Sequence, residues 1–214
     1  DQEVLEQLLG EKAGHRVTVR TPQRGDRAQV LALAAANARE EAERQTTSQE
    51  RSDRTLELLG KLMGLEEPPE WMESYDISNT GGEDVVASMV VFRGSRPAKD
   101  RYRRFRIKEL DGHPDDYKSM EEVLTRRLTH YMEQDKKFMP LPDVLLIDGG
   151  EQHAKVARRV TERFGLAIPI FGMVKDDRHR TRALVTPEGR EIGIKGTQAV
   201  FTLIGRIQEE THRF

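Results

Sequence analysis

The 214-residue chain contains no cysteine. This absence excludes a disulfide framework and any metal site built from thiolates, and it agrees with a reducing compartment. Long apolar runs are also missing, since none approaches the roughly 20 residues of a membrane-spanning helix. No signal peptide opens the chain. We therefore expect a cytoplasmic protein that does not bind a membrane.

Neither sign of charge dominates, because 35 basic side chains face 37 acidic ones for a net charge of −2. The total charge therefore gives no argument for a nucleic-acid partner, and only the positions of the charges can supply one. Basic residues cluster between Arg93 and Lys108 and again between Lys175 and Arg182. Both clusters suit a polyanion, although a solvated charged face is the alternative for the second. The candidate phosphate contacts are Arg103, Arg104, Lys175, Arg178 and Arg180.

The chain divides near the PPEW segment at Pro68. Residues 1–67 predict a helix, a short strand RVTVR at 16–20 and a long helix from about Asp26. This helix-strand-helix segment has no pattern typical of a catalytic site. The start without methionine and the end within a helical pattern predict a piece of a longer protein, with a second domain at residues 68–214.

The second domain shows a recognisable order of strands and helices. Strands WMESYDIS and DVVASMVVFRG flank a turn rich in glycine, which predicts a hairpin, and YRRFRIK is a third strand. A helix capped by Asp115 or Asp116, the unbroken apolar strand VLLIDGG, a second helix and the strand PIFGMVK follow. A small hairpin and a helix from about Thr197 close the chain. This order predicts an α/β fold, an RNase H-like mixed five-stranded sheet flanked by helices, with an N-terminal helical/strand appendage.

Two acids lie at positions that this fold would bring together. Asp76 lies in the first strand and Asp148 ends the fourth, and these strands are central neighbours in such a sheet. Buried carboxylates that repel each other are costly unless a cation relieves the repulsion. Oxygen ligands of this kind select Mg²⁺ or Mn²⁺. The alternative is that Asp148 only caps the helix that follows it.

The residues around this pair predict the rest of the site. Gly149 and Gly150 would leave room for a phosphate backbone beside the metal. A third ligand should come from the closing helix, whose last turns offer Glu209, Glu210 and His212. A histidine among acids on an amphipathic helix is more often a surface residue, so the pattern leaves this choice open.

Six ordered blocks resemble one known family, the UvrC proteins of bacterial nucleotide excision repair. They are ESYDISNTGGEDVVASMVVF, DRYRRFRIK, DDYKSMEEVLTRR, PDVLLIDGG, IFGMVKDDRHRTR and RIQEETHRF. The resemblance covers Trp71 to Phe214, and the first seventy residues are similar to the segment that precedes the nuclease in that family. It implies an RNase H-like endonuclease that uses a divalent metal to make the 5′ incision beside a DNA lesion.

The resemblance also implies a ligand set and partners. The family's Asp-Asp-His triad falls on Asp76, Asp148 and His212, the catalytic and metal-binding residues that we expect. The expected partners are damaged double-stranded DNA and UvrB, with UvrA acting upstream, and no small-molecule cofactor. The family further implies a GIY-YIG nuclease, a UvrB-binding motif and helix-hairpin-helix modules that this chain lacks.

Two departures from the family pattern concern substrate contacts. Glu151 follows the two glycines where the family has lysine, and Asn79 stands where histidine is common. Two rival functions stay open: a catalytically silent RNase H-like scaffold for DNA or a partner, and an Argonaute-like or resolvase-like nuclease acting on another nucleic acid.

Overall fold

The computed structural model describes residues 2–79, 85–108, 115–176 and 181–214. Its contacts divide the chain into two compact units, residues 1–50 and residues 51–214. The division predicted from the sequence, at 67/68, concerned domains and stays a prediction. No helix in the described ranges combines the length and the apolar character needed to cross a bilayer.

The first unit is helical, with α1 at Gln2–Ala13 and the beginning of α2, which spans Asp26–Met63. The strand predicted at 16–20 is wrong, because these residues form neither helix nor strand. The backbone of Val19 is satisfied by side chains of α1 instead of by a neighbouring strand. Its N–H donates to Glu6 Oε1 at 2.9 Å, and its carbonyl accepts from Gln2 Nε2 at 2.6 Å.

The second unit is built on one mixed sheet of eight strands. The strands are β1 Trp71–Asn79, β2 Val85–Arg93, β3 Arg96–Pro97, β4 Arg103–Arg106, β5 Val144–Asp148, β6 Ile170–Lys175, β7 Thr181–Val185 and β8 Glu191–Gly193. Their order is β3-β2-β1-β5-β6-β7-β8, and β4 also pairs with β2. The predicted count of five is corrected, because β3 and the β7–β8 hairpin join the same sheet. The glycine-rich turn before β2 lies outside the described residues.

The RNase H-like fold class is confirmed by the pairing at the centre of the sheet. Strand β1 pairs antiparallel with β2 and parallel with β5, and β5 pairs parallel with β6. The apolar run of β5 is buried from Val144 to Ile147, as expected for a strand covered on both faces. The first and fourth predicted strands are therefore central neighbours.

Three further helices cover the sheet: α3 at Asp116–Met132, α4 at Glu151–Arg163 and α5 at Gln198–Arg213. Asp115 caps α3 by accepting from two backbone N–H groups, which confirms one of the two caps predicted from the sequence. Helices α3 and α4 pack together, whereas α5 contacts β1, β2 and β7. Two short 3₁₀ turns lie at Lys99–Arg101 and Lys136–Phe138.

Strand β1 contributes side chains to two different layers, because successive residues of a strand point to opposite faces. Glu73 and Tyr75 lie on the face of α3, where Arg127 bonds Glu73 at 2.6 Å. Asp76 therefore points to the opposite face, which α5 covers. The end of α2 joins the core of this unit through Leu56, Leu59 and Met63.

Candidate metal centre

Asp76 and Asp148 lie side by side in adjacent parallel strands. The register of β1 and β5 pairs Tyr75 with Ile147, one residue before each acid. Residues opposite each other in a parallel pair point to the same face, so both carboxylates lie on the face of α5. Asp76 is 9% exposed. The sheet thus brings together two acids that the sequence separates widely.

The last turn of α5 adds the third candidate ligand. His212 Nδ1 lies 3.2 Å from Asp76 Oδ2, and the histidine side chain is 74% exposed. The hydroxyl of Ser78 donates to the same Oδ2 at 3.3 Å. One ligand atom from each of Asp76, Asp148 and His212 can be chosen so that all lie within 4.8 Å of one another. The structure therefore assembles the three residues predicted as ligands.

The side chain of Asp148 is 5% exposed, compared with 12% for the side chain of Asp76. Burial raises the pKa of this carboxyl, and the nearby Asp76 acts in the same direction, while Lys175 opposes the shift. Lys175 Nζ donates to Asp148 Oδ2 at 2.8 Å. The lysine predicted as a phosphate contact is thus the direct cationic partner of Asp148.

The glycines after Asp148 have different roles. Gly149 has φ +153°, and a Cβ there would lie 2.6 Å from the ring of His153. A Cβ on Gly150 would meet nothing within 4 Å, and Gly150 is the N-cap of α4. Asp148 therefore does not cap this helix. Gly149 is required by the backbone, whereas the position of a Cβ at Gly150 is open space.

The donor set fits a small divalent cation. Two ligand atoms on opposite sides of a Mg²⁺ octahedron are about 4.2 Å apart, since each bond is about 2.1 Å. A largest separation of 4.8 Å needs only a small closure of the side chains. Carboxylate oxygens suit both Mg²⁺ and Mn²⁺. An imidazole nitrogen favours Mn²⁺ over Mg²⁺, because transition metals accept nitrogen ligands more readily.

The arginines predicted as phosphate contacts have local partners. Arg103 donates to the carbonyl oxygens of Asp100 and Tyr102, at 2.9 and 2.7 Å. Arg104 donates to the carbonyl oxygen of Phe214, and its guanidinium lies 4.5 Å from the centroid of that ring. These contacts place Arg104 beside the last turn of α5. Their assignment to DNA stays a prediction.

The remaining predicted residues are Arg178, Arg180, Glu210 and Glu151. Arg178 and Arg180 lie outside the described residues. Glu210, an alternative ligand, accepts from the Tyr102 hydroxyl at 3.3 Å. Glu151 pairs with Lys155 one turn along α4.

Local pattern gives little or no signal for three contacts of the site. Lys175 appeared only as part of a basic run, and its pairing depends on β5 and β6 being neighbours. Gly172 allows the loop after Asp148 to approach β6, because a Cβ there would lie 2.6 Å from the Gly149 carbonyl oxygen. Tyr102 packs edge-on against Phe214 with ring centroids 5.1 Å apart. An isolated glycine within the predicted strand PIFGMVK was the one local signal of such a close approach.

Comparison with known proteins agrees with this arrangement. The chain is 40% identical to the UvrABC system protein C of Caldanaerobacter subterraneus subsp. tengcongensis over its whole length, covering 36% of that protein. It is 41% identical to the protein of the same name from Alkaliphilus oremlandii, again over its whole length and 37% of the relative. The chain thus spans a little over a third of the relatives it matches.

Structural comparison matches human ENDOV at 12% identity and a TM-score of 0.40, covering 68% of this chain and 84% of that one. The family model described as the UvrC Ribonuclease H-like domain matches residues 1–45. The model described as the UvrC RNAse H endonuclease domain matches residues 60–214, including all three candidate ligands. The chain therefore belongs to the family of UvrC RNase H endonuclease domains.

Proposed function

We propose that this chain is a metal-dependent endonuclease domain that makes the 5′ incision in damaged DNA during bacterial nucleotide excision repair. The observation that carries the proposal is the convergence of Asp76, Asp148 and His212, with ligand atoms within 4.8 Å of one another. Membership of the endonuclease-domain family supports the same reaction. The ion is Mg²⁺ or Mn²⁺.

Each residue has a role in this proposal. Asp76 and Asp148 hold the ion through carboxylate oxygens, and His212 is the third ligand. A bound divalent ion supplies activation of the attacking water and neutralises charge on the leaving 3′ oxygen. Ser78 orients Asp76 through its hydroxyl group. The open space at Gly150 admits the phosphate backbone.

Lys175 can interact with Asp148 or with a phosphate of the substrate. Without the ion it compensates the charge of the buried Asp148. Its side chain is 33% exposed, so Nζ can also reach a phosphate beside the carboxylates. Together with Arg103, Arg104, Arg178 and Arg180, it is a proposed DNA contact of this domain.

The partners of the proposed reaction follow from the larger protein. The relatives are named for the UvrABC system, which supports UvrB, with UvrA upstream, as partners. The substrate is double-stranded DNA that carries a lesion. The compartment is the cytoplasm, which stays a prediction.

A silent scaffold of the same fold is the second candidate. The side chains of Asp148 and Asp76 are 5% and 12% exposed. Repulsion between these neighbouring carboxylates and their desolvation destabilise the fold, and a scaffold gains no function in return. The complete donor set therefore favours catalysis. Cleavage assays on RNA, hybrid and bubble DNA separate the repair reaction from that of an Argonaute-like or resolvase-like nuclease.

Calorimetric titration with Mn²⁺ tests the metal centre without any DNA. We expect saturable binding to this chain and a loss of at least about tenfold in affinity for Asp76→Asn, since loss of even an outer-shell partner of a metal ligand costs that much. Asp100→Asn is the matched control, because Asp100 is exposed and lies outside the centre. Equal affinity in the two variants would contradict the ligand assignment.

Incision of lesion-containing DNA tests the reaction itself, in the full-length protein with UvrA and UvrB. Asp148→Asn should abolish the 5′ cut while its thermal unfolding stays cooperative. A folded Asp148→Asn protein that still makes the 5′ cut would contradict the assignment of Asp148 as a catalytic metal ligand.

A further inference from the structure

A groove of about 560 Å³ adjoins the metal centre along α5. This volume lies within the range of roughly 300–1,000 Å³ that is typical of ligand sites. Lys175 and His212 form the end that meets the metal centre. The remaining lining residues are Thr181, Phe201, Thr202, Gly205, Arg206, Gln208 and Glu209. A DNA strand that passes the carboxylates can therefore continue into this groove.

Gly205 is the feature that the fold itself does not explain. It lies in the interior of α5, where glycine weakens a helix relative to alanine. A Cβ at this position would meet nothing within 4 Å. Packing therefore does not require glycine here. The missing side chain instead widens the groove and lets a ligand approach the helix backbone.

The side chains along the groove suit a nucleotide. Phe201 packs its inner part against the core and presents the rest to the groove, so its ring can stack on a base. Arg206 is exposed and has no ion pair within the described parts of the chain. Its guanidinium is free to bind a phosphate. Glu209 can accept a hydrogen bond from the amino group of a base.

The floor of the groove is fixed by a buried hydrogen bond. The Thr181 hydroxyl donates to Gln208 Oε1 at 2.8 Å, and both residues are buried. This bond joins β7 to α5, so the groove keeps its width without a ligand. A preformed site avoids part of the ordering cost of binding.

We propose that this groove binds one unstacked nucleotide of the DNA strand that the metal centre cuts, with its base on Phe201 and its phosphate on Arg206. The inference rests on the proposed function, and it adds that the strand is held in single-stranded form next to the cut. Recognition by stacking accepts any base, because every base has a flat apolar face.

Fluorescence anisotropy at low salt compares two fluorescein-labelled probes, a short oligothymidine and an abasic oligomer with the same phosphates. The unsubstituted chain should bind oligothymidine roughly tenfold more tightly, since that is the scale of one stacked base. Phe201→Leu and Gly205→Leu should remove this preference. Arg206→Gln should weaken the binding of both probes by similar factors.

Matched controls separate the groove from general effects. Phe164→Leu alters another half-buried phenylalanine on the core, and Gly193→Leu alters another glycine with open space at its Cβ. Arg159→Gln removes another exposed arginine. All three should keep the base preference. Gly205→Leu should also unfold at the same or a higher temperature, because leucine favours a helix.

Mn²⁺ titration of the same proteins separates this inference from the proposed function. Normal Mn²⁺ affinity without a base preference in the unsubstituted chain would overturn the groove and leave the metal centre standing. Equal loss of preference in the controls would also overturn it. A base preference confined to the groove, without Mn²⁺ binding, would support the groove and reject the metal centre.

Discussion

Gly149 shows how one residue controls the direction of the chain after Asp148. Its φ of +153° is rarely adopted by residues with a side chain, and the ring of His153 occupies the place of a Cβ. Burial lowers the pKa of His153, so a neutral ring is favoured at this position. Glycine at 149 therefore lets the chain turn from the end of β5, at Asp148, into α4 without a longer loop.

We expect Gly149→Ala to lower the free energy of unfolding by at least about 2 kcal/mol, because backbone strain and displacement of His153 add together. Gly150→Ala is the matched comparison and should cost at most about 1 kcal/mol, the scale of a changed N-cap. Urea denaturation of both variants measures the difference. Equal costs would show that the loop relaxes around position 149.

The two acids of the candidate metal centre could be predicted from the pattern and order of the strands, but the histidine could not. Asp76 and Asp148 each interrupt or end an apolar run, which marks a strand with a buried carboxylate. Glu209, Glu210 and His212 occupy the same helix end, and their roles depend on which of them faces β1. That orientation is a property of packing, so only the resemblance to a family selected His212.

Strand β1 is the element on which the candidate site depends most, because it carries a buried ion-paired acid on one face and a candidate metal ligand on the other. Arg127 is 1% exposed and bonds Glu73 with both Nε and Nη2. The Tyr75 hydroxyl donates to Glu73 at 2.5 Å, and burial raises the pKa of this tyrosine well above its usual value. Helix α3 thereby fixes β1 from behind the metal centre.

We expect Arg127→Met to destabilise the protein by about 3–5 kcal/mol, because it leaves the Glu73 carboxylate buried without a cation. The double variant Glu73→Gln with Arg127→Met should recover much of this loss, since glutamine carries no charge and still accepts from Tyr75. Urea denaturation of the single and double variants gives the coupling. Additive losses would show that the ion pair contributes little.

The success of sequence prediction for the elements follows from their partners. Helices α3, α4 and α5 were predictable because their apolar spacing is a local property. The strand predicted at 16–20 was wrong, because a strand forms only where another strand accepts its hydrogen bonds. The number of strands in the sheet was underestimated for the same reason: β7 and β8 were predicted as a hairpin, but the pairing of β7 with β6 has no local signal.

At the scale of the molecule, the end of α2 belongs to the unit that contains the candidate metal centre. Leu56, Leu59 and Met63 are buried in its core, with Leu59 at 0% exposure. Burial of such side chains contributes roughly 1.5–3 kcal/mol each. Together they approach the total stability of a typical domain. Residues 51–63 of α2 therefore stabilise the second unit, in agreement with a division at 50/51.

We expect residues 51–214 to fold alone, with the Mn²⁺ affinity of the whole chain, whereas residues 68–214 should unfold at a much lower temperature. Thermal denaturation followed by circular dichroism, together with Mn²⁺ titration, measures both fragments. This comparison also tests the domain boundary predicted at 67/68. Equal stability of the two fragments would support that boundary and contradict a structural role for the end of α2.

The three candidate donors of the metal centre come from distant parts of the chain, and Asp76 and His212 are 136 positions apart. Because a ribosome makes the chain from its N-terminus, the imidazole is the last donor to be synthesised. A product interrupted before α5 carries both carboxylates but lacks the imidazole. Synthesis that stops at this stage therefore releases no polypeptide with all three donors.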